Sequence, residues 1–260
     1  MRKLLFILVL LAAGLCYYMT RPETIHEKVG QETPGTFSAT VTQTLSSRHK
    51  EGTLAALTGA WNIQYTAHAR IPKQDWVPLN QISPYLPQAQ VAIEDKRFYS
   101  HHGIDPDGIL RATLVNLQAD EVVQGGSTIT QQLVKNLLLS QEQTLERKAL
   151  EAVLALLIES RCSKDEILEM YLNTTFLGSG ATGVQQAAQK YFRKKPKDLT
   201  LAQAATLAGL PYAPTALNPL EHPEACKKRR DLVLQAMNQQ GFITREMLDK
   251  ALLEPLLPQK

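Results

Sequence analysis

Glu94 heads the run Glu94-Asp95-Lys96-Arg97-Phe98-Tyr99-Ser100-His101-His102-Gly103, where carboxylates, aromatics and imidazoles crowd together before a glycine. Carboxylate and imidazole groups held near a loop suit general acid–base work, in which a side chain takes or gives a proton in the transition state. The same composition also fits the solvated face of an ordinary helix, so this run taken alone leaves both readings open.

A second group is Gly125-Gly126-Ser127-Thr128-Ile129-Thr130-Gln131-Gln132-Leu133-Val134-Lys135-Asn136. Two glycines and a capping Ser127 leave backbone N–H groups exposed at a helix N-terminus, an environment that favours an anion. Thr128, Gln132 and Lys135 recur at helical spacing and share a face. A flexible loop before a capped helix explains that polar face, but not the paired glycines with a lysine two turns along. The spaced glycines and Lys-Ser/Thr pair of a nucleotide phosphate loop are absent.

Third, Arg147-Lys148-Ala149-Leu150-Glu151 places two cations three and four residues before a carboxylate. As a surface pair this is worth about 0.2–0.5 kcal/mol. Its functional reading is a cationic cradle for a diphosphate, with a carboxylate kept ionised beside it. A fourth stretch, Ser163 to Asn173, has the apolar spacing of a core helix and reads mostly as scaffold.

The elements that must position these groups are mainly helical. Alternation in Trp61-Asn62-Ile63-Gln64-Tyr65 predicts a short extended segment within Trp61 to Val77. After Pro84 the pattern is helical almost throughout. Pro84 opens a helix that Gly103 ends, Gly108 to Leu117 is amphipathic, and Ser127 caps a helix running through Leu138. Thr144 to Ser160 is apolar beyond Glu151, as a buried helix would be. Ser163 with Glu166 and Thr200 with Gln203 form capping-box patterns. The last helices run from about Pro223 to Gln240 and from Thr244 to Leu253, with Gly241 between them.

Length and composition fit one sizeable domain plus an appendage: 260 residues, 44% hydrophobic, 20% charged, net charge +3. That weak positive balance, without a recognition motif, argues against nucleic-acid binding. Cys16, Cys162 and Cys226 are far apart with no CxxC pair, which argues against a zinc site. Cys162 and Cys226 read as two small buried side chains, with a disulfide as the alternative in an exported domain.

Arg2 and Lys3 precede an apolar run from Leu4 to Met19, which Arg21 and Pro22 close. Its length as a helix is about 24 Å, short but workable as a membrane anchor with interfacial Tyr17 and Tyr18. A cleaved signal peptide is the competing reading, although Ala12-Ala13-Gly14 makes a mediocre cleavage site. The expected organisation is an anchor over 1–21, a polar spacer over 22–55 and a catalytic domain over 56–260.

Together these groups resemble the family 51 glycosyltransferases, the transglycosylase domains of monofunctional cell-wall polymerases and class A penicillin-binding proteins. EDxxFxxHxG is met by Glu94, Asp95, Phe98, His101 and Gly103. GGSTITQQLVKN spans Gly125 to Asn136, RKxxE spans Arg147 to Glu151, and KDEILEMYLN spans Lys164 to Asn173. The resemblance covers roughly residues 75 to 240. One departure is Arg193, where the family often has glycine.

The resemblance implies a lysozyme-like, two-lobed helical fold behind a single N-terminal transmembrane helix. The implied reaction polymerises lipid II into β-1,4-linked glycan strands with release of undecaprenyl diphosphate. Glu94 would be the general base and Glu151 would assist on the donor side. Asp95, Phe98, His101, Ser127, Thr128, Gln132, Lys135, Asn136, Arg147 and Lys148 would bind substrate. No protein-built metal site is expected, although Mg²⁺ or Mn²⁺ could accompany the diphosphate. Partners would be lipid II, the growing lipid-linked glycan, the membrane, and transpeptidases or other cell-wall proteins. The location would be the outer face of the bacterial cytoplasmic membrane. Basic residues at Lys194 to Lys197 and Lys227 to Arg230 would face anionic head groups or solvent. Rival readings are a lytic transglycosylase, which would not need the diphosphate cradle, and a non-catalytic scaffold. Ser47-Arg48-His49-Lys50 spells the SxxK of a transpeptidase, but no KTG follows and the match reads as chance.

Overall fold

The computed structural model describes residues 52–119, 126–140 and 144–258. The expected anchor, all but the last few residues of the spacer, Cys16, Ser47 to Lys50 and Gly125 lie outside them. Among the described residues no helix is long and apolar enough to cross a membrane.

The described chain is mainly α-helical, and its β structure is confined to two isolated bridges, His102 with Ile104 and Phe176 with Thr182. In chain order the helices are α1 over 52–61, α2 Ile63–Arg70, α3 Tyr85–Glu94, α4 Pro106–Ala119, α5 Ile129–Leu138 and α6 Leu145–Glu159. They continue with α7 Lys164–Thr174, α8 Gly183–Ala187, α9 Leu201–Gly209, α10 Pro223–Gln239 and α11 Arg245–Leu253.

The extended segment expected within Trp61 to Val77 is replaced by helix through Arg70 and a 3-10 turn at Lys73–Asp75. The buried residues explain this: Ala56, Ala60, Ile63 and Ala67 recur every three or four positions. Small alanines carry the buried stripe, while the conspicuous Trp61 and Tyr65 are exposed. The alternation includes two exposed aromatics and so does not mark the buried face.

Two packed groups organise the rest. In one, α9 lies against both α3 and α10, and α3 also touches α10. Ala202, Ala204, Ala205 and Ala208 are buried along α9, so small side chains let its neighbours approach closely. In the other, α5 packs against both α6 and α7. Capping boxes at Ser163 and Thr200 open α7 and α9 as their sequences predict. Gly241 takes a positive φ between α10 and α11.

Asn173 on α7 ties the N-terminal region to this second group. Its Oδ1 accepts from the Val77 N–H at 2.8 Å, and its Nδ2 donates to the Val77 carbonyl at 2.8 Å. Glu169 accepts from Trp76 Nε1 and Leu79 N–H, so α7 is scaffold along this face. Cys162 and Cys226 are free thiols, the second buried. Burial pushes the Cys226 thiol up to about 12, the behaviour of an inert core side chain.

Candidate active site

Glu94 is the last residue of α3, and the helix stops there rather than running on to Gly103. The stop has a physical cause. Asp95 leaves the helix with φ −152° and turns its side chain inward. Its Oδ2 accepts the Ile129 N–H at 3.0 Å, and both oxygens lie 2.9–3.0 Å from His101 Nε2. A carboxylate only accepts, so His101 Nε2 carries the proton of that contact.

Asp95 therefore occupies the N-terminus of α5, where the helix dipole favours an anion. This corrects the expectation that those N–H groups stand open for a ligand. The cap also moves by one residue, from Ser127 to Thr128. Thr128 Oγ1 accepts the Gln131 N–H and donates to the Gly103 carbonyl at 2.7 Å, while Gln131 Oε1 accepts the Thr128 N–H. Gly103 sits at φ +84°, and a Cβ there would lie 2.8 Å from the Ala155 carbonyl oxygen, so glycine lets this loop touch α6.

Asp95, Phe98 and His101 are all buried, with Phe98 fully enclosed and its ring edge-on to that of His101. Burying a phenylalanine contributes about 1.5–3 kcal/mol, which suits a group that frames the site. The structure thus brings these three together beneath the surface.

Two further carboxylates form centres of their own, Glu94 partly exposed and Glu151 buried. At the first, Glu94 Oε2 accepts from Gln132 Nε2 at 2.9 Å, and Oε1 from Arg229 Nη2 at 3.3 Å. The Glu94 side chain is 14% exposed. Gln132 comes from α5 and Arg229 from α10, so Glu94 stands at the seam between the two packed groups. At the second centre, Glu151 is 2% exposed. Its Oε2 meets Arg147 Nη1 at 3.2 Å, and its Oε1 meets Lys148 Nζ. Lys148 Nζ also donates to Ser127 Oγ at 2.8 Å.

A continuous path joins the centres. Glu94 adjoins Asp95, which holds Ile129; two residues earlier Ser127 meets Lys148, and Lys148 meets Glu151. Lys135 and Asn136 are half-buried near the end of α5, and Lys135 makes no salt bridge among the described residues.

Arg229 was missed from sequence. The run Lys227 to Arg230 reads as a head-group or solvent-facing patch, yet Arg230 is fully buried and Arg229 reaches Glu94. Arg230 donates to the carbonyls of Glu254 and Leu252 and pairs with Asp231. Charge alone does not distinguish these arginines; what they touch lies elsewhere in the chain. Gly209 is part of the same arrangement. A Cβ there would come within 2.8 Å of Arg229 Cγ, so the glycine makes room for the arginine stem on its way to Glu94.

Among the described residues no group of three or more His, Cys, Asp and Glu side chains comes together as metal ligands. Each oxygen of Glu151 already faces a cation. That donor set does not fit a protein-held divalent ion.

Several known proteins are similar to this chain. Penicillin-binding protein 1A of Aquifex aeolicus is 50% identical over 190 residues, which are 73% of this chain and 26% of that protein. A Cupriavidus necator protein named as a transglycosylase is 50% identical over 182 residues, 70% of this chain and 78% of its own length. The crystal structure of penicillin-binding protein 1A from Haemophilus influenzae matches at 47% identity and a TM-score of 0.35, over 36% of this chain and 14% of that one. The chain spans about a quarter of the Aquifex relative and most of the Cupriavidus one. A family model described as transglycosylase matches residues 62–238, well over half of the chain, and the protein belongs to that family.

Proposed function

We propose that this chain is a peptidoglycan glycosyltransferase that extends a lipid-linked glycan with lipid II. The observation that carries the reading is Glu94, a carboxylate at the seam of two helix groups, held by Gln132 and Arg229 yet open on one side. Glu94 takes the proton from the acceptor sugar 4-hydroxyl as that oxygen attacks the donor anomeric carbon. The bond from that carbon to the diphosphate oxygen breaks, and its electron pair leaves with the undecaprenyl diphosphate. Attack from the opposite face gives inversion and a β-1,4 link.

The leaving diphosphate gathers negative charge, and preformed cations placed where charge develops lower the barrier. Lys135, Arg147 and Lys148 supply that charge. Glu151 acts indirectly, holding Arg147 and Lys148 in place through its two oxygens. Ser127 steadies Lys148 from the other side. Asp95, Phe98, His101 and Thr128 act as the frame that sets α5 against Glu94. No step is routed through a metal ion.

The same proposal includes the lysozyme-like, two-lobed form of the helical domain and the anchor over 1–21. A lipid-linked substrate is met most efficiently by an enzyme held at the outer face of the cytoplasmic membrane. Transpeptidases acting on the same glycan are proposed as partners.

The test supplies labelled lipid II to the detergent-purified full chain and to Glu94→Gln. Glycan polymer from the wild type, lost in the variant, is the expected result. A well-folded wild type that makes no polymer overturns the reading.

A further inference from the structure

A chain of side-chain hydrogen bonds runs from Glu94 through Gln132 to the buried Tyr171 and Gln90. Gln132 Nε2 donates to Glu94 Oε2 at 2.9 Å, and Gln132 Oε1 accepts from the Tyr171 hydroxyl at 2.9 Å. Gln90 Nε2 in turn donates to the Tyr171 hydroxyl oxygen at 3.3 Å. Tyr171 and Gln90 are both at most 1% exposed. They come from α7 and α3, so the line crosses from one packed group to the other and back.

The direction of every bond follows from donor and acceptor inventory. A carboxylate only accepts, so the amide nitrogen of Gln132 must face Glu94. Its carbonyl oxygen then faces Tyr171 and requires a donor there. The hydroxyl proton is committed to that bond, which leaves the phenolic oxygen to accept from Gln90. Burial, and secondly the Glu94 charge, push the Tyr171 hydroxyl well above the usual tyrosine range, so it keeps its proton and remains a donor. Without that donor the Glu94 contact alone orients the Gln132 amide, and its carbonyl oxygen is left with no partner. Rotated by half a turn, the amide would present a carbonyl oxygen to the carboxylate.

We propose that Tyr171, steadied by Gln90, is a positioning residue that locks the Gln132 amide in the one orientation able to hold Glu94. The proposal rests on the glycosyltransferase reading for its effect on turnover, but not for the orientation itself. Tyr171 touches no reacting atom and acts through Gln132.

Tyr171→Phe removes one oxygen and keeps the ring, so the core stays filled. In the full chain with lipid II, kcat is expected to fall about tenfold, as expected for one lost hydrogen bond, with KM within about twofold of wild type. Gln132→Ala should show a similar loss, and adding Tyr171→Phe to it should do little more. Gln90→Leu should fall in the same direction but less. Independently of turnover, the Gln132 side-chain amide proton signals in a ¹H–¹⁵N spectrum should move upfield in Tyr171→Phe, as a hydrogen bond to the carboxylate is lost. An unchanged kcat, a loss confined to KM, or effects that add with Gln132→Ala would overturn the proposal. If the wild type makes no polymer, the glycosyltransferase reading falls, and the amide signals alone decide whether Tyr171 orients Gln132. Unmoved signals in the variant then sink the positioning role too.

Discussion

Glu94 and Glu151 are both helix carboxylates facing cations, yet they are held by opposite means. Glu151 takes its partners from its own helix, three and four residues back, and is almost fully covered. Glu94 takes its partners from positions 38 and 135 residues away and keeps one side open. A carboxylate closed in by two local cations is a fixed counter-charge. One held at a seam by a neutral amide and an arginine can meet a substrate hydroxyl. The proposed division of labour between base and cradle rests on that contrast.

The comparison can be broken most directly at Glu94. Glu94→Gln should lower transfer by about 10²–10⁴-fold while leaving the thermal melt near wild type, because the amide keeps the volume and one acceptor. Glu151→Ala should behave in the opposite proportion. It leaves two cations without their carboxylate, and stability should drop by about 1–3 kcal/mol in denaturant titration, reduced from a fully buried pair because Lys148 is 47% exposed. Equal stability losses in the two variants would erase the distinction drawn between them.

Arg229→Ala tests whether Glu94 depends on its distant cation. We expect kcat to fall about tenfold, the effect of one lost charge-assisted hydrogen bond. Gly209→Ala reaches the same pair from outside: the new methyl must displace the Arg229 stem, and a loss of about three- to tenfold is expected. That loss should vanish when Arg229 is already alanine, which a double-mutant cycle would read. Arg193→Gly, remote from both carboxylates, calibrates the series. Arg193 is exposed with φ +56°, so glycine there should raise stability by about 0.5–1 kcal/mol without altering transfer.

That last residue also shows how sequence and structure inform each other. Arg193 stands out in sequence as a departure from a common glycine, and its left-handed backbone supplies the reason glycine suits the position. The capping boxes at Ser163 and Thr200 and the glycine break at Gly241 were legible because each depends on residues within four positions of one another. The errors fall where local signals compete with distant ones. The alternation of Trp61, Ile63 and Tyr65 predicts an extended segment, whereas the buried stripe is Ala56, Ala60, Ile63 and Ala67 and both aromatics are exposed. The local pattern carries the helix from Pro84 to Gly103, since nothing near Asp95 in sequence shows that it turns away to accept the Ile129 N–H. The paired glycines read as an anion cradle, but Asp95 already fills the helix N-terminus.

The sequence by itself determined the helical class, the capping boxes at Ser163 and Thr200 and the Arg147-Lys148-Glu151 cluster. All of these are short-range patterns, or residue identities within a motif. Only the tertiary structure decided which N–H groups remain open, that Arg229 rather than its buried neighbour Arg230 meets Glu94, and that Tyr171 stands behind Gln132. The physical reason is that a carboxylate's environment is set by whatever packing brings within about 3–4 Å, and those groups arrive from segments with no local sequence relation to it.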